Sequence, residues 1–401
     1  MIEVPIALSS NMKPIERIEI HSFGPLRDVV IEDIRPLTVL IGPSGSGKST
    51  LLKVLALFRW LLKMQNIRSF LKQSGIRRSP FRFTFNSYIS NNGWRGFVSK
   101  ETKIIYQYGN SIISYQDGKL NVPEITEVKG LHLEKIAFIS DNRVVIPDML
   151  AGQVRANSFY LNETYSDFLL AMEELEQIDI PYLNVHIARE KKSSGQVVYR
   201  VEGKGAEKYS ISLFDASSGT QSVLPIEAIT RYYTQHFNLV KALNQGILRL
   251  LVNNDKLSDF KAVTNVGDID SKRISVMIEE PELSLWPEMQ MALMQRMVGA
   301  CVKDGNVGVM LTTHSPYVLA SVNNLIFAHQ VGELNAEAAS RVVPQMYWLN
   351  PDNVAAFMIK EGKITDIMDS DLRQIQSEYI DSASAIINEQ YDLLFDIKHG
   401  I

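Results

Sequence analysis

Four short stretches carry residues whose types and spacing suit phosphate chemistry: GPSGSGKST at 42–50, ASSGTQS at 216–222, VMIEEPELSLWP at 276–287 and TTHSP at 312–316. The first fits G-x-x-x-x-G-K-[ST] in full. It follows the apolar run Leu37, Val39, Leu40 and Ile41 and precedes Leu51, Leu52, Val54, Leu55 and Leu57 at helical spacing. Strand, glycine-rich loop and helix in that order make a phosphate cradle. Gly42, Gly45 and Gly47, with Pro43, Ser44 and Ser46 between them, let backbone N–H groups close on phosphate oxygens, and the helix adds its positive end. Lys48 is expected to reach the β- and γ-phosphates of ATP. Ser49 is the expected hydroxyl ligand of Mg²⁺, a hard cation that takes oxygen donors and keeps several waters. Thr50 starts the helix beside it. A glycine-rich turn with a chance lysine would need neither flanking element.

The run Ile274 to Ile278 ends in two adjacent carboxylates, Glu279 and Glu280. A short apolar run bounded by turn signals suits a buried parallel strand, and ligand sites in open α/β sheets lie at strand C-terminal ends. Successive strand residues point opposite ways, so the two acids divide the work. Glu279 is assigned to the magnesium shell and Glu280 to polarising the attacking water. A merely solvated acidic turn would leave the upstream loop without a partner. A second apolar strand, VGVML, ends in hydroxyls and His314. A lone histidine is more often structural, but at a strand end beside the phosphates its N–H could sense the γ-phosphate.

With these residues in hand, the chain resembles an ABC-type ATPase head of the SMC-like branch, related to overcoming-lysogenisation-defect ATPases and to compact AAA-labelled ATPases of bacterial defence systems. The resemblance implies an α/β fold: a P-loop NTPase of ABC-ATPase head type, with a mixed central sheet, an antiparallel β subdomain and an inserted helical lobe. It makes ATP and Mg²⁺ the cofactors, EEPELSLWP the Walker B and D-loop, His314 the switch histidine and ASSGTQS a degenerate signature. By that analogy Ser218 and Gly219 contact the γ-phosphate of ATP held by another subunit, so the enzyme is complete only as a homodimer or higher homo-oligomer. The family also suggests a sensor or regulator of an effector or toxin encoded nearby, in anti-phage defence. Two departures stand out. Ser44 occupies a position where many relatives carry asparagine, and the signature lies far upstream of Walker B, which argues against a transporter subunit. A nucleotide-gated scaffold with little turnover and a DNA-repair or chromosome-associated ATPase are the alternative readings.

Composition agrees with a globular chain: 401 residues, 45% hydrophobic, 21% charged, net charge −4. No apolar run reaches membrane-spanning length, the N-terminal MIEVPIALSSNM lacks a signal-peptide pattern, and Cys301 is the sole cysteine, so a cytoplasmic protein without membrane contact or intrachain disulfide is expected. Between Ile34 and Lys100 there is no Asp or Glu. The basic cluster Arg68, Lys72, Arg77, Arg78 and Arg82, interleaved with Phe70, Phe81 and Phe83, could track a nucleic-acid backbone or pair with acids elsewhere.

Four regions follow. Residues 1–60 hold the N-terminal part of the head with Walker A, and 61–215 hold inserted β-strands and a helical lobe. Residues 216–350 hold signature, Walker B, D-loop and switch histidine, and 351–401 form an acidic helical tail. FRFTFNSYI, TKIIYQYG and SIISYQDG read as antiparallel strands, residues 155–182 as helical, and PYLNVHIARE with QVVYRVEG as a hairpin. In the tail, Tyr379, Ile380, Ala383, Ile386, Ile387, Tyr391 and Leu394 suggest an amphipathic helix packed on its own head. Arg143 resembles a position near the nucleotide. The sequence shows neither a coiled-coil arm nor room after His314 for a nuclease domain.

Overall fold

Continuous burial along the apolar runs decides the architecture. The computed structural model describes residues 14–73, 75, 85–122, 132–156, 158–205, 208–253, 271–302, 307–379 and 382–399. The chain opens with strands β1 (Glu16–Phe23), β2 (Leu26–Ile31) and β3 (Leu37–Ile41), and the loop after β3 turns into helix α1 (Lys48–Gln73). A short helix α2 (Phe85–Asn91) leads to β4 (Val98–Tyr108), β5 (Ser111–Gln116), β6 (Lys119–Asn121) and β7 (His132–Ile139). Helices α3 (Ile146–Leu150) and α4 (Phe159–Leu175) precede β8 (Gln177–Ile180), β9 (Val185–Lys191), β10 (Val197–Gly203) and β11 (Ser210–Ser212). Then come α5 (Ser218–Arg231), α6 (Leu239–Asn253), β12 (Ser271–Glu279), α7 (Pro287–Met297) and β13 (Val307–Thr313). The chain continues through α8 (Pro316–Leu334), α9 (Ala336–Val342), β14 (Val354–Lys360) and β15 (Lys363–Asp366) to α10 (Ser382–His399).

Among the described residues, eleven strands form one mixed sheet in the order β6-β5-β4-β1-β2-β15-β14-β3-β13-β12-β7, and β8 to β11 form a separate antiparallel sheet. Within the large sheet, β14, β3, β13, β12 and β7 run parallel. Register brings their C-terminal ends level: Ile278 lies beside Ile139 and Leu311, and Thr313 beside Ile41. Alternate residues of these strands feed two cores. Val39, Leu311, Ile278 and Ile139 pack with α4, α5, α7 and α8 on one face, while Leu40, Met310, Met277 and Phe138 pack with α1 on the other. Both faces are covered, which is why these strands read as continuous apolar runs.

The antiparallel arm folds over α1 until β4 meets the parallel half. Tyr108 at the end of β4 lies 4.3 Å from the His132 ring at the start of β7. Beneath this contact, buried Glu16 of β1 accepts from Arg59 of α1 at 2.6 and 2.9 Å, from Arg273 of β12 at 2.6 Å and from the Tyr106 hydroxyl at 2.9 Å. Arg59 also donates to Ser275 at 3.1 Å, and Ser275 donates to buried Glu134 of β7. Two guanidiniums thus face two carboxylates away from water. Burial pushes the Glu16 carboxyl up, but Arg273 and Arg59 outweigh it and hold it below the usual carboxylate range.

Several sequence expectations are corrected. Residues 85–89, read as the end of a strand from 81, begin the helix Phe85–Asn91 because Phe85 and Ile89, four apart, both bury in the core under β5; residues 81–84 lie outside the described residues. The helix expected over 155–182 ends at Leu175 and gives way to β8, whose Ile178 and Ile180 alternate into the core. The region from 351 is not a helical tail throughout: β14 and β15 belong to the central sheet, β14 pairing in parallel with β3. The helix α10 exists, but Ile386, Ile387, Tyr391 and Leu394 are exposed rather than packed on the head.

Glu16→Ala leaves Arg59 and Arg273 buried without their shared carboxylate and should cost about 3–5 kcal/mol at neutral pH. Because the Glu16 pKa is depressed, its contribution is complete above about 4.5, the ordinary value, and fades as pH falls through the depressed one. Urea unfolding at neutral and acidic pH should therefore show the gap to wild type narrowing in acid.

Candidate active site

The loop between β3 and α1 is shaped by close approaches that only glycine permits. At Gly42, with φ +155°, a Cβ would lie 2.1 Å from the Ile359 carbonyl oxygen of β14; at Gly47, with φ +107°, it would lie 2.6 Å from the Leu26 side chain. The loop is thus wedged between β14 and β2. Lys48 is buried, and its Nζ donates to the Gly42 and Pro43 carbonyls at 2.8 and 3.0 Å. Burial lowers its pKa, against the opposing pull of Glu280 and Glu282. The ammonium therefore sits in the cradle it is expected to serve.

The two adjacent acids face different ways. Glu279, fully buried, turns toward α1: its Oε1 is 2.7 Å from Lys53 Nζ, its Oε2 accepts from the Asp141 amide at 3.4 Å, and the Ser49 hydroxyl is near enough to favour its charged form. Burial raises the Glu279 pKa, with Lys53 opposing. A desolvated carboxylate next to a hydroxyl at the mouth of a phosphate loop is an all-oxygen donor set that suits Mg²⁺. Among the described residues no three or more His, Cys, Asp or Glu side chains gather into a metal cluster, and a magnesium held by one or two protein oxygens plus phosphates requires none.

Glu280 takes φ +45°, a left-handed backbone unusual for a residue with a side chain. Its amide donates to the Thr312 carbonyl at 3.0 Å, and its carboxylate comes within 3.5 Å of His314 Nε2. Both side chains are about one-third exposed (31% and 33%), so the pair opens to solvent at the strand ends. Glu282 holds the histidine's turn: its Oε1 accepts from the His314 amide at 2.7 Å and from the Thr313 hydroxyl at 2.8 Å.

The signature stretch begins α5. Ser217 caps the helix, accepting from the Thr220 amide at 3.3 Å, and Ser217 and Ser218 are exposed. A Cβ on Gly219 would lie 3.0 Å from the Ser284 carbonyl, so this helix end rests on the loop after Glu280. Among the described residues no hydrogen bond joins Ser218 or Gly219 to residues 42–50.

The structure thus brings together Lys48, Ser49, Glu279, Glu280 and His314, and sets Ser218 and Gly219 apart, on the far side of Glu280. Three residues of the site were not foreseen in these roles. Lys53, Glu279's ion-pair partner, stands four residues after Ser49, on the same helix face. Glu282 gave no signal beyond its place after the acid pair. Arg143, read as near the nucleotide, is fully buried and spends its guanidinium on backbone carbonyls. Of the basic segment, Arg35, Lys53 and Arg59 find carboxylates in this chain, Arg68 and Lys72 also hold contacts, and Arg77, Arg78 and Arg82 lie outside the described residues.

Residues 153–319 match the family model described as an AAA ATPase domain. That stretch takes in the signature, the acid pair and His314, while the glycine-rich loop falls outside it and is identified by its own pattern and geometry. No curated protein matches the chain. Among solved structures it is similar to the SMC head domain from Thermotoga maritima, at 9% identity and a TM-score of 0.35, over 89% of this chain and 98% of that one. It is also similar to an Smc head domain with an extended coiled coil, bound to the C-terminal domain of ScpA, derived from Pyrococcus furiosus, at 10% identity and a TM-score of 0.34, over 95% of this chain and 100% of that one. The matched stretch is accordingly similar to an AAA ATPase domain, and it is carried on a mixed α/β fold with one large mixed sheet. Among the described residues, no helix is long and apolar enough to cross a membrane.

Proposed function

We propose that this protein binds and hydrolyses ATP with Mg²⁺, each site being completed by a second copy of the chain. The observation that carries the reading is the meeting of the Lys48 loop, the Ser49–Glu279 pair and the Glu280–His314 pair at the level ends of adjacent parallel strands. The loop amides and Lys48 bind the phosphates, with Lys48 exchanging its two loop carbonyls for phosphate oxygens. Ser49 and Glu279 would hold the magnesium, which when bound supplies charge neutralisation across the β- and γ-phosphates. Glu280 orients the attacking water and draws on its proton, and His314, steadied by Glu282 through its backbone, places an N–H donor beside the departing phosphoryl group.

Ser218 and Gly219 form an exposed helix N-terminus, a ready anion site, and the reading gives it the γ-phosphate on a neighbouring copy. Following the resemblance in the sequence, ATP-driven assembly would regulate a partner effector, in anti-phage defence; failure to recover any neighbouring-gene product with the protein, with or without ATP, would count against this role. Contact of DNA with Arg68, Lys72, Arg77, Arg78 and Arg82 is a separate proposal, tested by salt-dependent binding and its loss in Arg77→Glu/Arg78→Glu.

Lys48→Ala should weaken nucleotide binding in an equilibrium titration. Glu280→Gln should keep ATP affinity while phosphate release falls about 100-fold or more; equal rates would remove Glu280 from its role. The solution mass of Glu280→Gln should rise to that of a dimer or larger assembly on adding Mg·ATP, and a monomer unmoved by nucleotide would defeat the shared-site reading.

A further inference from the structure

We infer that Arg143 is a positioning residue that fixes the backbone of Glu280 and couples it to the signature helix. The inference rests on the ATPase reading above and deepens it. Arg143 follows β7, has no exposed surface, and forms no ion pair among the described residues. Its donors go to four carbonyl oxygens: Glu279 at 2.7 Å and Ser140 at 3.1 Å from Nη1, Glu280 at 2.7 Å from Nη2, and Ser222 of α5 at 2.9 Å from Nε.

The two glutamate carbonyls belong to the peptide planes on either side of the Glu280 Cα. Holding both planes fixes the φ and ψ of that residue. The first plane is pinned from its other edge too, because the Glu280 amide donates to the Thr312 carbonyl at 3.0 Å. This is the residue whose φ is +45°, a conformation that persists only where its surroundings over-determine it. The left-handed turn is what carries the Glu280 side chain out of the strand's alternation and toward His314.

The remaining Nε–H reaches Ser222, four residues after Ser218 in α5. One planar guanidinium therefore joins the strand end that bears the carboxylate to the helix whose exposed end would meet a second copy's nucleotide. A displacement of α5 moves the Ser222 carbonyl, and the rigid fork passes that movement to the two planes around Glu280. A lysine cannot serve: its ammonium is a single point of charge with no fixed fork.

Arg143→Lys in the full chain tests this. Mg·ATP affinity and KM should stay within about threefold of wild type, since the phosphate loop is untouched, while kcat falls about 100-fold, as expected when a catalytic group drifts by about 1 Å. Wild-type turnover per subunit should rise with protein concentration as copies meet, and in Arg143→Lys that rise should disappear. Arg143→Met, with thermal melts of both variants, guards against a folding defect. The inference is overturned by a wild-type kcat in Arg143→Lys, by ATP affinity lost in step with turnover, by a low rate that still rises with concentration, or by failure of both variants to fold. Failure of the ATPase reading itself looks different: wild-type protein releases no phosphate that Lys48→Ala abolishes.

Discussion

The buried cluster of Glu16, Arg59, Arg273 and Glu134 sets the distances on which the site depends. Arg59 pins the middle of α1 to β1 and, through Ser275, to β12. At the other end of the same two elements, Ser49 and Lys53 of α1 meet Glu279 of β12. Along the helix, Arg59 lies six and ten residues beyond these partners, about 9–15 Å at helical rise. Along the strand, Ser275 and Glu279 are four residues apart, about 13 Å. Helix and strand are thus fastened at two points with matching spacing, and the phosphate loop cannot slide relative to the carboxylates without breaking a buried charge pair. Buried ion pairs gain little net stability over apolar packing but are costly to break, and that asymmetry suits a registration device.

A different solution operates one layer away, behind the acid pair. Arg143 is as buried as Arg59 but has carbonyl dipoles for partners instead of a carboxylate, and burial draws its pKa down to about 10, with Glu282 and Asp141 pulling the other way. It remains charged at neutral pH. A carboxylate there would neutralise the guanidinium better, but it would add another negative group where Glu279 and Glu280 already gather charge at the strand end. Carbonyls supply acceptors without net charge. Charge-assisted hydrogen bonds contribute about 1.5–3 kcal/mol each, enough to offset the 1–3 kcal/mol or so stored in a left-handed non-glycine residue.

Much of the site could be read in the chain because its parts are local. A phosphate loop is a contiguous pattern between strand and helix, and an apolar run ending in two acids or in a histidine places those groups at strand ends once the strands are parallel. What escaped was either non-local or amphiphilic. Lys53 carries its partner's identity only through the pairing of α1 with β12. Arg143 binds backbone, which has no sequence. Residues 81–89 are rich in aromatic side chains and read as strand, yet Phe85 and Ile89 bury at helical spacing, with the Phe85 ring 4.5 Å from the Tyr115 ring. β14 and β15 hid inside a tail with an acidic balance, although VAAFMI carries the unbroken apolar run of a central parallel strand.

The same non-local links tie Gly219 and Ser222 to the acid pair although, among the described residues, neither bonds to the loop at 42–50. Gly219 abuts the Ser284 carbonyl, on the segment that leaves Glu280, and Ser222 accepts from Arg143, whose guanidinium also holds the Glu280 carbonyl. A helix that touched only the sheet's apolar core could tilt with little effect on the acids. This one is tied to them on both sides, through hydrogen-bonded backbone on one and close packing on the other. Close-packed interfaces of this kind shift between discrete arrangements rather than deforming smoothly, so contact at the exposed end of α5 would be felt as a change in where Glu280 points.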